Sequence, residues 1–221
     1  NIDREELREY LNPVYDLERI MAKISCKSAN PKDLIAFKNS VEMIPHIKNV
    51  LKTLESHLIC NLNEQIDGLS DILELIDSSI VDDPPVGMRD GGMIKEGFSS
   101  EADELRRAKT EGKQWLVDIE EREKEKTGIR NLKIKYNKVF GYYLEVTNSF
   151  KNMVPPEWTR KQTLTNAERY TTDELKKLED IILGAEVKLN ELEYELFSQV
   201  REEISRNVFR ILNTAKALAQ I

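Results

Sequence analysis

Cysteine is nearly absent from this 221-residue sequence: Cys26 and Cys60 stand alone, a helical stretch apart and without ligand-type neighbours. That excludes a disulfide framework and a cysteine metal site, and predicts two reduced, buried thiols in a cytosolic protein. Histidine is as scarce, and neither His46 nor His57 stands in a metal or triad spacing. With nine glycines and seven prolines, a sheet-dominated or loop-rich fold is disfavoured. No run approaches eighteen apolar residues, so no membrane-spanning helix is expected. The opening at Asn1 lacks the basic and apolar segments of a signal peptide, and the sequence reads as a piece of something longer.

What is present is charge. One third of the residues are charged, 40% are hydrophobic and the net charge is −7, a composition of long amphipathic helices around a sizeable core. Residues 1–81 read as three or four helices. The first covers Glu5–Ile24 with a kink or restart at Pro13, and the second is opened by Asn30 and Pro31 and broken near Pro45. A third follows over His46–Leu58, and a fourth over Asn63–Ser78. Residues 82–99, with Pro84, Pro85 and four glycines, form a connector containing one or two short extended pieces. Gly92 and Gly97 have phosphate-loop spacing, but Phe98 and Ser99 follow where Lys and Ser/Thr are needed. Gly112-Lys113 fails as well, with Arg107 and Gln114 at the flanking positions.

A long helix is expected from Ser100 to Lys126, with its stripe on Leu105, Ala108, Trp115, Leu116 and Ile119 and a stop at Gly128. A second is capped by Thr171, with Glu174 three residues on, and runs towards Ile221, about 75 Å if unbroken. Two rods of this kind bury their stripes most simply as an antiparallel pair, with the intervening segment at the far tip and the surplus of the second packed on the first eighty residues. The predicted fold is therefore mainly α with a small antiparallel β subdomain: a helical base, a two-helix stalk and a β tip.

The tip is where the charge reverses. Arg130–Thr172 holds eight cations against three anions, a net of +5, so the remainder sums to −12. Leu132, Ile134 and Tyr136 alternate with Lys133, Lys135 and Asn137, and a short turn leads to a second strand over Phe140–Asn148. Trp158–Arg169 supplies a third strand and part of a fourth, rich in donors: Arg160, Lys161, Gln162, Thr163, Thr165 and Asn166. Lys, Arg, Asn, Gln and Thr are the side chains that hold phosphate oxygens, so this island is a candidate duplex footprint, against the alternative of a solvated sheet face. Aromatics are not interleaved with the cations as in a single-strand reader. Tyr142, Tyr143 and Trp158 are assigned to packing. No carboxylate pair, metal cluster or nucleophile with a base has useful spacing, so no enzyme is predicted.

Tyr15-Asp16-Leu17-Glu18-Arg19, Ala29-Asn30-Pro31-Lys32-Asp33-Leu34, Gly112-Lys113-Gln114-Trp115-Leu116, Phe140-Gly141-Tyr142-Tyr143, Arg160-Lys161-Gln162-Thr163-Leu164 and Asn166-Ala167-Glu168-Arg169-Tyr170 follow one another in an order that resembles the MutS DNA mismatch-repair family. The resemblance covers nearly the whole chain and only that family's core, lever and clamp regions. Neither the Phe-x-Glu motif of its mismatch reader nor a Walker A loop is present. It implies a core part at 1–81, a connector at 82–99, lever helices at 100–128 and 172–221 and a DNA-binding clamp at 129–171. It further implies sequence-independent contact with double-stranded DNA through Asn137, Lys138, Arg160, Lys161, Thr163, Thr165 and Asn166. No cofactor is expected in this stretch. ATP and Mg²⁺ would belong to the parent protein, which would be a cytoplasmic homodimer, nucleoid-associated when on DNA and working with other mismatch-repair proteins. The competing reading is a coiled-coil scaffold whose β tip binds a protein partner.

Overall fold

In a computed structural model, which describes residues 2–221, the chain is mainly helical with one four-stranded antiparallel sheet. It divides into two compact units, one formed by the residues up to Ser99 together with Asn190–Ile221, the other by Ser100–Leu189.

The first unit begins with six helices where three or four were expected: α1 (Ile2–Leu11), α2 (Leu17–Ser25), α3 (Pro31–Glu42), α4 (Ile44–Lys52), α5 (His57–Gln65) and α6 (Ser70–Ser79). Local chemistry sets the breaks. Pro13 lies in the gap before α2, whose cap Asp16 accepts from the Arg19 amide. Asn30 and Asp33 form a reciprocal capping box with Pro31 in the first turn of α3. The predicted Asn63–Ser78 helix is split: α5 stops where Ile66 turns extended, and Leu69 at φ +50°, a left-handed conformation, opens α6. Asp67 supports that turn, accepting from the Leu69 amide at 2.9 Å. Both cysteines are exposed, contrary to the expectation of burial. Cys26 lies just past the end of α2, and Cys60 lies on α5, which buries only Leu62.

Phe37, Phe197, Met21, Ile24 and Leu34 fill the core of this unit, with Val200, Ile204 and Ile211 from the C-terminal helices. The late helix is not one rod of about 75 Å. It ends as α8 (Asp173–Arg206) and resumes as α9 (Val208–Leu218), because Asn207 leaves helical geometry and turns its side-chain amide to the Glu203 carbonyl. Arg210 on α9 holds Asp67 and Asp71 through bonds of 2.8–3.3 Å, and the Thr214 hydroxyl accepts from the Asp67 amide.

In the second unit α7 (Ser100–Thr127) runs antiparallel to the first part of α8. Lys109 bonds Glu186 at one level and Arg122 bonds Glu174 about three and a half turns on. Between them the helices come so close that a Cβ on Gly112 would lie 2.5 Å from Ile182 Cγ1. The stripe of α7 is Gly112, Leu116, Ile119 and Glu123. Trp115, predicted to lie on it, is 49% exposed, since it sits about 100° round the helix from Leu116. Gly128 closes α7 at φ +73°, as expected, whereas the cap of α8 is Thr172, whose hydroxyl accepts from the Leu175 amide, one residue beyond the predicted Thr171.

Candidate nucleic-acid interface

The sheet comprises β1 (Lys133–Asn137), β2 (Gly141–Thr147), β3 (Thr159–Thr163) and β4 (Ala167–Thr171) in the order β1-β2-β4-β3. Its inner face carries Ile134, Leu144, Val146 and Tyr170, which pack with Trp158 on Leu175, Leu178 and Ile182 of α8. The opposite face is polar, apart from Tyr143 and Ala167. The Tyr143 ring is 4% exposed because the Arg169 guanidinium lies over it, 4.4 Å from its centroid. Tyr142 packs against Tyr136, and Trp158 against Tyr170, in agreement with the packing roles expected of Tyr142, Tyr143 and Trp158.

Half of the island's cations have partners. Glu145 receives Lys135 at 2.6 Å and Arg169 at 3.4 Å, and the Lys135 hydrogen bond, against the opposing effect of burial, holds its carboxyl below the usual range. Lys133 reaches Glu120 at 3.1 Å, and Arg160 approaches Glu168 at 3.8 Å while remaining 62% exposed. Glu168 also accepts from the Tyr170 hydroxyl, and burial followed by this hydrogen bond pushes the phenol up to about 12. Among the described residues, Arg130, Lys138, Lys151 and Lys161 form no ion pair, and all four are exposed. Lys161 stands out from β3 at a register shift between Arg160 and Gln162, where the edge strand bulges.

The seven residues expected to meet phosphate do not form one cluster. Asn137 and Lys138 occupy the β1–β2 turn, where the Asn137 side-chain oxygen is occupied by the Val139 amide. Thr163, Thr165 and Asn166 occupy the β3–β4 turn. Since Asn137 faces Gly141 and Ala167 faces Thr147, the two turns flank opposite ends of β2, about 20 Å apart at about 3.4 Å per residue. Arg160 and Lys161 lie between them on β3.

The second end is richer than the sequence suggested. The Asn148 amide and side chain donate to the carbonyls of Asn166 and Thr165, and Asn131 donates to the Thr147 hydroxyl. These bonds gather residues 128–131, the 3₁₀ turn Asn148–Met153 and the β3–β4 turn at one edge. The three segments contain no carboxylate. Arg130, Asn148 and Lys151 join Thr163, Thr165 and Asn166 there. Arg130 and Lys151 count towards the island's charge in sequence, but only the antiparallel register places them beside the β3–β4 turn.

Residues 97–188 match MutS family domain IV, a span that nearly coincides with the β-bearing unit. The full length is 62% identical to the DNA mismatch repair protein MutS of Lachnoclostridium phytofermentans, aligned over 100% of this chain and 24% of that protein. The chain belongs to the MutS family. Over 99% of its length it is 53% identical to the MutS of Caldanaerobacter subterraneus subsp. tengcongensis, and over 99% it is 52% identical to that of Ruminiclostridium cellulolyticum. It spans about a quarter of each of these two, 25%. No helix among the described residues is long and apolar enough to cross a membrane, and no group of three or more His, Cys, Asp or Glu could hold a metal.

Proposed function

We propose that this MutS-family chain holds double-stranded DNA by its backbone, without reading sequence, at the end of the sheet where residues 128–131, the 3₁₀ turn and the β3–β4 turn meet. The observation that carries the proposal is local: on a chain of net charge −7, Arg130, Lys151 and Lys161 are exposed and unpaired around a turn that offers Asn148, Thr163, Thr165 and Asn166 as donors. Cations with neutral donors, and no base-stacking platform, suit phosphate contacts alone. Arg160 adds to this end through its exposed guanidinium. Asn137 and Lys138 are a second contact: a duplex lying along the strands covers the intervening 20 Å or so in about six base-pair steps. The helices α7 and α8 act as levers on this clamp, within the core, connector, lever and clamp division drawn from the sequence. ATP, Mg²⁺, the dimer contacts and partner-protein sites belong to other parts of the whole, cytoplasmic protein. In support of that, no GxxxxGK[ST] motif occurs in this stretch.

Fluorescence anisotropy with a labelled 20-base-pair duplex tests this. At about 50 mM salt the chain binds, and affinity falls by about 0.9 log unit per phosphate contact per log of salt. Replacing Arg160, Lys161 and Lys151 together by alanine weakens binding at least about tenfold and reduces the slope by about two to three, with circular dichroism unchanged. Unchanged affinity would overturn the assigned face. Absence of any duplex binding at that salt would favour the scaffold with a protein-binding tip.

A further inference from the structure

The β1–β2 hairpin is attached to its helices by two carboxylates, one from each. In an antiparallel ladder alternate backbone amides point away from the partner strand. The Ile134 amide is such a group on the free edge of β1, and it donates to Glu120 Oε2 of α7 at 2.9 Å. On the other side of the hairpin, pairing of β2 with β4 reaches only as far as Leu144 opposite Tyr170. The Tyr142 amide, two residues further along β2, has no strand beside it and donates to Glu179 Oε2 of α8 at 2.5 Å. The neighbouring residue is Gly141, at φ +72°, where a Cβ would lie 2.0 Å from the same oxygen. Glycine there answers two demands: the left-handed backbone and the space for the carboxylate to reach the amide. Glu120 also receives Lys124 and Lys133, which fixes its side chain in place.

We infer that Glu120 and Glu179 are positioning residues that make the sheet turn with α7 and α8, so that the helices set the direction of the duplex-holding edge at the sheet's other end. The inference rests on the proposed DNA binding for its consequence, though not for its geometry. Without these bonds the hairpin is joined to the helices through side-chain packing and chain connections alone, and ordering it again on DNA weakens binding. A free glutamate acts in the opposite sense: as an anion on the same unit it repels phosphate, and removing its charge strengthens binding.

Two conservative variants separate those senses without threatening the fold. Glu179→Gln loses the charge and keeps an oxygen acceptor at the same reach. Glu179→Asp keeps the charge and is too short by one methylene. Duplex anisotropy at about 50 mM salt and hydrogen exchange of the Tyr142 amide are measured on both. The inference expects Glu179→Asp to weaken duplex binding about three- to tenfold and to speed Tyr142 exchange at least about tenfold, with Glu179→Gln within about twofold of the parent in both. It is overturned if Glu179→Asp matches the parent, or if Glu179→Gln loses protection as Glu179→Asp does. Should the parent chain not bind duplex, the DNA proposal fails by itself, and the exchange data still decide whether Glu179 holds the hairpin.

Discussion

The two units of this chain are held together differently. The helical unit is built on fully buried apolar side chains, among them Phe37, Phe197, Ile44, Ile47 and Leu69, and its polar contacts mostly end helices or tie them at the rim. The β-bearing unit has a smaller apolar core, centred on Leu116, Leu144, Val146, Leu175 and Ile182. The rest of its assembly is polar: Glu120 and Glu179 on hairpin amides, Glu145 between Lys135 and Arg169, and Arg122 on Glu174. Burial is non-directional and fixes a compact unit, whereas hydrogen bonds to backbone amides fix the orientation of one strand against one helix. The donor set proposed to hold DNA at a fixed angle calls for the second kind.

The contrast can be broken most forcefully in the helical unit. Phe37→Ala should cost about 3–5 kcal/mol by urea unfolding, because the ring is fully buried and its neighbours come from several helices. A cost below about 1 kcal/mol would mean that the apolar core does not dominate there. In the β-bearing unit the most damaging small change should be Gly141→Ala. The positive φ costs about 1–2 kcal/mol, and the clash with Glu179 removes its bond to the Tyr142 amide as well. Thermal unfolding and loss of Tyr142 amide protection measure it, and an alanine variant as stable as the parent would remove the stated reason for glycine.

The smallest expected effect lies on the rim of the helical unit. The Arg210 hydrogen bond holds the carboxyls of both Asp67 and Asp71 below the ordinary carboxylate value. A carboxyl whose folded pKa is lowered contributes stability that is complete above its unfolded value, near about 3.9, and disappears as the pH falls through the folded one. The groups are partly exposed, so the contribution is below about 1 kcal/mol. Melting temperatures at pH 7 and pH 3 should therefore differ slightly more for the parent than for Arg210→Ala. Equal differences would show that the ion pairs carry no acid sensitivity.

Much of the architecture was legible because it rests on local rules. The Asn30–Pro31 start, the Gly128 stop and the alternation of Leu132, Ile134 and Tyr136 with lysines each involve residues a few positions apart. The split at Leu69 was not legible, since nothing in the sequence marks a leucine for a left-handed turn supported by Asp67. The exposure of Cys60 was missed because burial depends on which helix face meets a neighbour, and that of Cys26 because the residue falls just past the end of α2. Trp115 misled for a related reason: its size suggests burial, but the phase of Gly112, Leu116 and Ile119 places it off the stripe. In the candidate interface the donor types of Arg160–Asn166 were legible, while the ion pairs that occupy Lys133, Lys135 and Arg169 were not.

By itself the sequence determined the mainly helical class, the basic island between two long helices and the MutS resemblance, because periodicity, charge and motif order are properties of the chain alone. The tertiary structure decided which cations remain unpaired, which turn lies beside which and how the hairpin is fixed. Those outcomes depend on strand register and on carboxylates both near and far along the chain: Glu145 is 10 residues from Lys135, and Glu179 is 37 from the Tyr142 amide it accepts from. Electrostatic partners are set by distance in space, and only folding converts a count of charges into a surface.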